Sequence, residues 1–183
     1  MIFMKLMRGI IKALIGQDWE DEFNLHQSGL AFSFGALLLY IPFGFIIASA
    51  VVRFNSANVP APYEIIAQTL IAMALVFPVL AWILSQVFGL REHLQAWLIV
   101  RNWTVVMLMA IFAGLASLYL WGMVPFTVVY ILGLCLYLAT LGVDVRLAGR
   151  IGGFNWMGAV FTAILVSITT MVVILNALSH HIG

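Results

Sequence analysis

Five apolar runs divide the chain: Leu30 to Val52, Ile65 to Phe88, Leu94 to Trp121, Pro125 to Leu141 and Trp156 to Leu178. A helix needs about 20 apolar residues to cross a bilayer, so runs of this length predict five membrane helices. A membrane β-barrel would instead alternate apolar and polar positions over strands of about ten residues. These runs are continuous. Proline and glycine mark the breaks between them. Pro60 and Pro62 interrupt the chain before the second run, and Gly122 with Pro125 predicts a tight reversal before the fourth. Gly149, Gly152 and Gly153 loosen the link to the fifth, while Pro42 and Pro78 fall inside runs.

The first 29 residues follow another pattern. Met1 to Ile15 is apolar except for Lys5, Arg8, Gly9 and Lys12. At 100° per residue the three basic side chains share a sector of about 60°. Ile2, Phe3, Leu6, Met7, Ile10 and Leu14 lie on the other side. This predicts an amphipathic interfacial helix on an anionic leaflet. A cleaved signal peptide would need a longer apolar stretch and a small-residue cleavage site; Asp18, Trp19, Glu20, Asp21 and Glu22 follow instead. That acidic cluster reads as a solvated linker or as a docking patch for a partner.

Composition agrees with the pattern. Of 183 residues, 64% are hydrophobic and 8% charged, against roughly 25% charged in a soluble domain. So few charges exclude a water-facing globular fold, and so high a hydrophobicity excludes disorder. A net charge of +1 provides no basic stripe for nucleic acid. The expected organisation is an interfacial helix and acidic linker over 1–29, then a five-helix membrane domain over 30–183. The fold class is all-α and polytopic. Cys135, inside the fourth run, reads as a small core residue.

Lys and Arg gather in alternate connections. Lys5, Arg8, Lys12, Arg91, Arg101, Arg146 and Arg150 fall on one side and Arg53 on the other. The positive-inside rule then puts the N-terminus in the cytoplasm and the C-terminus, with His180 and His181, in the periplasm of a bacterial inner membrane.

Arg101 is the most informative charge, within Trp97-Leu-Ile-Val-Arg-Asn-Trp103. Thr104 to Trp121 already suffices to cross a bilayer. On that register Arg101 snorkels to headgroups at the cytoplasmic interface, with Trp97 and Trp103 in the aromatic belt. The alternative buries Arg101 and Asn102 in the bundle, holding a headgroup, a quinone carbonyl or a partner carboxylate. Arg101, Asn102, Trp97, Trp103, Lys5, Arg8 and Lys12 are the candidate lipid or partner contacts. Asp144 with Arg146 and Arg150 reads as a surface ion pair in a loop after the fourth span. Glu64 suits a helix N-terminus, and Arg91, Glu92 and His93 a short charged turn. Gln68 and Thr69 are expected to bond a neighbouring helix.

His26, His93, His180 and His181 all lie outside the runs, which leaves no facing pair for haem and no base for a serine nucleophile in a span. No Gly-x-x-x-x-Gly-Lys loop is present. We therefore expect no catalytic, cofactor or metal site. Small residues predict close helix contacts: Ala159, Ala163 and Ser167 in the fifth span, Gly44 and Ala48 in the first, Ala110 and Gly114 in the third.

The order of spans resembles small five-span proteins of the Yip1-like class. It is more similar to small bacterial inner-membrane proteins with an Asn-Trp pair at the head of the third span, here Asn102-Trp103. The Asp-Leu-Tyr-Gly-Pro element of Yip1 proteins is absent, and Asp18-Trp19-Glu20 is the nearest approach. The resemblance implies no defined activity and transfers no functional residue. The expected function is a non-enzymatic accessory or scaffold subunit of a larger membrane complex, with lipids and other membrane subunits or copies of itself as partners. The alternative is a small transporter or lipid-handling protein, resting on Pro42, Pro78, Arg101 and Asn102.

Overall fold

The computed structural model describes residues 2–55 and 62–182. Pro60 and the side chains of His180 and His181 lie outside the described residues. The elements are α1 (Ile2–Ile15), a short 3-10 turn (Glu20–Glu22), α2 (Gln27–Leu37), α3 (Tyr40–Phe54), α4 (Tyr63–Val87), α5 (Arg91–Leu120), α6 (Phe126–Arg150) and α7 (Trp156–Ile182). No strand occurs among them. Five segments are long and apolar enough to cross a membrane: 27–54, 63–87, 91–120, 126–150 and 156–177.

The first apolar run is not one continuous helix. α2 ends at Leu37 and α3 begins at Tyr40, with a tight turn between them in which Leu38 and Leu39 bond back to Gly35 and Ala36. Pro42 is the cause we assign. It has no N–H to give to Leu38, and its ring crowds that carbonyl. α4 by contrast continues through Pro78 without a break. The fourth apolar run stops at Leu141, yet α6 continues to Arg150. Nothing in Gly142-Val-Asp-Val-Arg-Leu-Ala-Gly-Arg150 breaks a helix, and packing stabilises the extension: Leu147 and Ala148 are fully buried. Asp144 therefore stands on a helix, not in a loop.

α5 has the most neighbours. It packs against α2, α3, α4 and α6, while α7 closes the far side against α4 and α6. At 1.5 Å per residue α5 is about 45 Å long, well beyond the roughly 30 Å hydrocarbon core of a bilayer. Its first turns join a core with α1, built on Ile10, Ala13, Trp97, Leu98, Leu147 and Ile151. Gly16 of the α1 end lies against the Arg150 guanidinium, and Gly153 against His93. The N-terminal arm, the start of α5 and the end of α6 thus meet at one end of the bundle. Arg53 is at the other, donating to the Leu120 carbonyl and lying over the Tyr119 ring.

The small-residue positions divide. Ala159 and Ala163 are buried, and Ser167, Ala48 and Ala110 are half-buried. Gly44 is buried against Leu70 of α4, whose side chain a Cβ would strike. Gly114 differs from expectation: it is exposed, and open space surrounds it. Cys135 is likewise exposed, because it faces out from the least-buried of the long helices. Gln68 is exposed too, and reaches Glu64 one turn back, while Thr69 bonds the Ile65 carbonyl of its own helix. Neither bonds a neighbouring helix, because a carboxylate and a carbonyl one turn away lie within reach.

The contrast between the two glycines is testable by thermal unfolding in detergent. Gly44→Val should cost about 1–3 kcal/mol through overpacking against Leu70. Gly114→Ala should be neutral or stabilise by about 0.5–1 kcal/mol, since alanine suits a helix better than glycine. Equal effects would contradict the packing described.

Candidate functional site

Antiparallel helices joined by a tight reversal bring together residues equidistant from that reversal. Arg101 and Asp144 stand about twenty residues to either side of the Gly122–Pro125 turn. The α5–α6 hairpin sets them side by side. Arg101 Nε donates to Asp144 Oδ1 at 3.0 Å, and Nη2 donates to Oδ2 at 3.2 Å. This two-pronged geometry is the strongest form of an arginine–carboxylate contact. Both residues are buried, 9% and 7% exposed. One face of the guanidinium lies 4.3 Å from the centre of the Phe77 ring. Tyr40, at the start of α3, is buried beside the pair.

Of the two positions expected for Arg101, the structure has the buried one, about 15 Å from the start of α5 at 1.5 Å per residue and against a carboxylate of the same chain. Tyr40 of α3, Phe77 of α4 and Asp144 of α6 surround the guanidinium, so the side chain meets protein. A single sequence pattern could not reveal that enclosure, because it comes from segments distant in the chain. Trp97 changes for the same reason. It is buried, with its ring edge-on to Phe77 at 5.1 Å and packed on Phe154 at 5.4 Å. Gly152 leaves room for it, since a Cβ there would stand 3.2 Å from the indole. Trp103 remains half-buried against Phe32 of α2.

Asn102 is fully buried. Its Nδ2 donates to Ser33 Oγ at 3.3 Å, tying α5 to α2, and Ser33 in turn donates to the Leu30 carbonyl. Asn102 Oδ1, Trp97 Nε1 and Thr162 Oγ1 are buried without a partner among the described residues.

A cleft of about 240 Å³ runs from the ion pair into the bundle. Tyr40, Arg101 and Asp144 form its polar end, and Leu108, Met109 and Phe112 its apolar wall along α5. Tyr137, Thr140, Ser167 and Thr170 form a hydroxyl-bearing side between α6 and α7. Tyr137 and Ser167 hydroxyls pair at 3.1 Å. Thr140 donates to the Tyr137 carbonyl and Thr170 to the Val166 carbonyl. Gln68 is not part of this cleft. The only charged side chains lining it are Arg101 and Asp144. A larger recess, about 440 Å³, lies between the end of α1 and the acidic segment, lined by Asp18, Glu20, Asp21 and Arg150. These four are exposed, so the recess is a feature of the surface. We place the candidate site at the buried pair.

The acidic segment is not wholly a solvated linker. Glu22 is buried; its Oε1 accepts from Lys12 Nζ at 2.8 Å and lies 3.9 Å from Arg8. Lys5 is exposed. The Lys12 hydrogen bond holds the Glu22 carboxyl below its ordinary range, with burial opposing and the charges of Lys12, Arg8 and Lys5 adding to the lowering. No group of three metal-ligating side chains occurs among the described residues. Comparison of the chain with protein-family models, with curated proteins and with solved structures returns no match.

Two outcomes follow from these contacts. Removing one partner of a buried ion pair strands the other, so Arg101→Met or Asp144→Leu alone should cost about 3–5 kcal/mol. The double substitution should recover most of that loss; additive losses would refute the pairing. For Glu22, a folded-state value below the unfolded value of about 4.3 makes the Lys12 contact stabilising at higher pH and lost as pH falls through the folded value. Protease resistance of α1 should therefore hold from neutral pH to about pH 5 and fall below it. Glu22→Gln should loosen α1 already at neutral pH and flatten the profile; an unchanged profile would refute the role of Glu22.

Proposed function

We propose that the protein is a non-enzymatic, multi-pass protein of a bacterial inner membrane that handles a lipid-like amphiphile, with its N-terminus cytoplasmic and its C-terminus periplasmic. The observation that carries this reading is the cleft whose polar end is the buried Arg101–Asp144 pair. A buried ion pair seldom adds net stability over apolar packing, so its retention favours a specific role. A bilayer-crossing stretch of about 20 residues that ends at Leu120 starts at Arg101, so the pair lies at one headgroup level. The apolar wall then extends toward the midplane, matching the polarity gradient of a lipid in that leaflet. Both carboxylate oxygens of Asp144 are held by Arg101, and this fixed ion pair favours binding over catalysis.

α1 supports the same placement. Ile10 and Ala13 pack on the bundle, while Phe3, Met4, Met7, Ile11 and Ile15 form an exposed apolar stripe. Exposed Lys5 and Arg8 flank it. The helix covers the ends of α5 and α6 just beyond the pair, at the depth of headgroups. A stripe of this kind beside basic residues suits an anionic leaflet.

The scaffold reading rests on a different observation, the outer face of α6, where Tyr130, Ile131, Leu134 and Leu138 are exposed. Lipid chains cover such a face as well as a partner helix does, so we rank this reading second.

Native mass spectrometry of protein released from mild detergent separates the two. The lipid-handling reading expects a bound amphiphile on the wild-type chain that is lost in the folded Arg101→Met/Asp144→Leu variant. Equal occupancy in both would refute it. Other subunits at fixed stoichiometry, with no bound amphiphile, would favour the scaffold.

A further inference from the structure

We infer that the cleft takes an uncharged amphiphile whose head accepts hydrogen bonds through a carbonyl oxygen. The inference rests on the amphiphile-binding reading and specifies its ligand. Three features of the cleft select that head.

The first is the supply of donors. A guanidinium carries five N–H groups, and the Asp144 contacts use two of them. The three others have no partner among the described residues. Phe77 covers a face of the group, so these donors are directed in its plane. Arg101 keeps 11% of its side-chain surface, and the cleft is the space it lines. Thr140 and Thr170 give their protons to carbonyls one turn back, and Tyr137 and Ser167 share one hydrogen bond, which leaves one hydroxyl proton between them. The Tyr40 hydroxyl lines the same end as Arg101. Arg101 is the strongest open donor, and the lining favours a head that accepts.

The second is charge. Arg101 and Asp144 neutralise one another, and the lining holds no other charged side chain. A phosphate or carboxylate head would bring a second anion beside Asp144 with no second cation to balance it. An ammonium head would repeat that problem against Arg101. In a low-dielectric site such imbalance is costly. A carbonyl accepts a charge-assisted hydrogen bond and leaves the net charge at zero.

The third is shape. Phe112 is three turns of α5 beyond Arg101, about 16 Å at 1.5 Å per residue. The wall between them is Val105, Leu108 and Met109. At about 240 Å³ the cleft is smaller than most whole-ligand pockets, which start near 300 Å³. It accepts a head and the first part of a tail, with the rest among lipid chains.

A ring ketone of a quinone and the ester carbonyl of a neutral glyceride share this chemistry. The test titrates wild-type protein and the Arg101→Met/Asp144→Leu variant with decyl-ubiquinone, 1-monooleoylglycerol and hexadecyl phosphate. Bound species are counted by native mass spectrometry, and both chains are checked for folding by thermal unfolding. At least one neutral probe should bind wild type saturably, about tenfold or more tighter than it binds the variant, as expected for loss of a hydrogen bond from a charged donor. Which neutral probe does so identifies the source of the carbonyl. Hexadecyl phosphate should bind more weakly. If hexadecyl phosphate binds wild type as tightly as the neutral probes and loses that affinity in the variant, the ligand class is overturned while the amphiphile cleft stands. If no probe binds saturably, or all bind both chains alike, the cleft reading falls with it.

Discussion

Two opposite charges in an apolar bundle must find each other, and the bundle must form around them once they have. Among the described residues, Arg101 and Asp144 form the ion pair that joins α5 to α6. Left apart in a low-dielectric interior, each would carry a desolvation penalty of several kcal/mol. Joined by two hydrogen bonds, they fix the register of α5 against α6. Such pairs seldom add net stability compared with a well-packed apolar replacement. The reason to retain one is then specificity or function, and the cleft beside it favours function.

Both helices run well past the pair at this end of the molecule. α5 begins ten residues before Arg101, and α6 continues six residues past Asp144. These overhangs would stand bare without a cover. α1 supplies it, and Lys12, Arg8 and Glu22 hold that cover in place. The N-terminal helix thus covers the helix ends beyond the pair and is a candidate contact with the membrane surface. One row of its side chains faces the bundle and an adjacent row faces away.

Local pattern was enough to read the five long apolar segments, the reversal at Gly122–Pro125 and the helix at the N-terminus. It was not enough wherever the answer depended on a distant segment. The pattern around Arg101 fitted both an interfacial and a buried position, because the residues that decide between them, Tyr40, Phe77 and Asp144, are remote in sequence. Asp144 was read as a loop residue because apolar character stops at Leu141, although helix does not require apolar character to continue. A signal was available: a lone acid and a lone base at matching distances from a tight reversal. Trp97 looked like a belt residue until Gly152 and Phe154 were seen to enclose it. Gly114 had the spacing of a packing residue but no neighbour. Spacing shows which residues share a face and is silent on what that face meets.

Direct contact between Arg101 and Asp144 holds this end of the bundle together. Solid-state NMR can measure it in lipid bilayers, with ¹⁵N on arginine side chains and ¹³C on aspartate carboxylates, assigned through Asp144→Asn. The account predicts a dipolar coupling from Arg101 Nε to the Asp144 carboxylate consistent with the 3.0 Å hydrogen bond, together with slow exchange of the guanidinium protons with water. No coupling, with rapid exchange at Arg101, would put that side chain among headgroups and contradict the account.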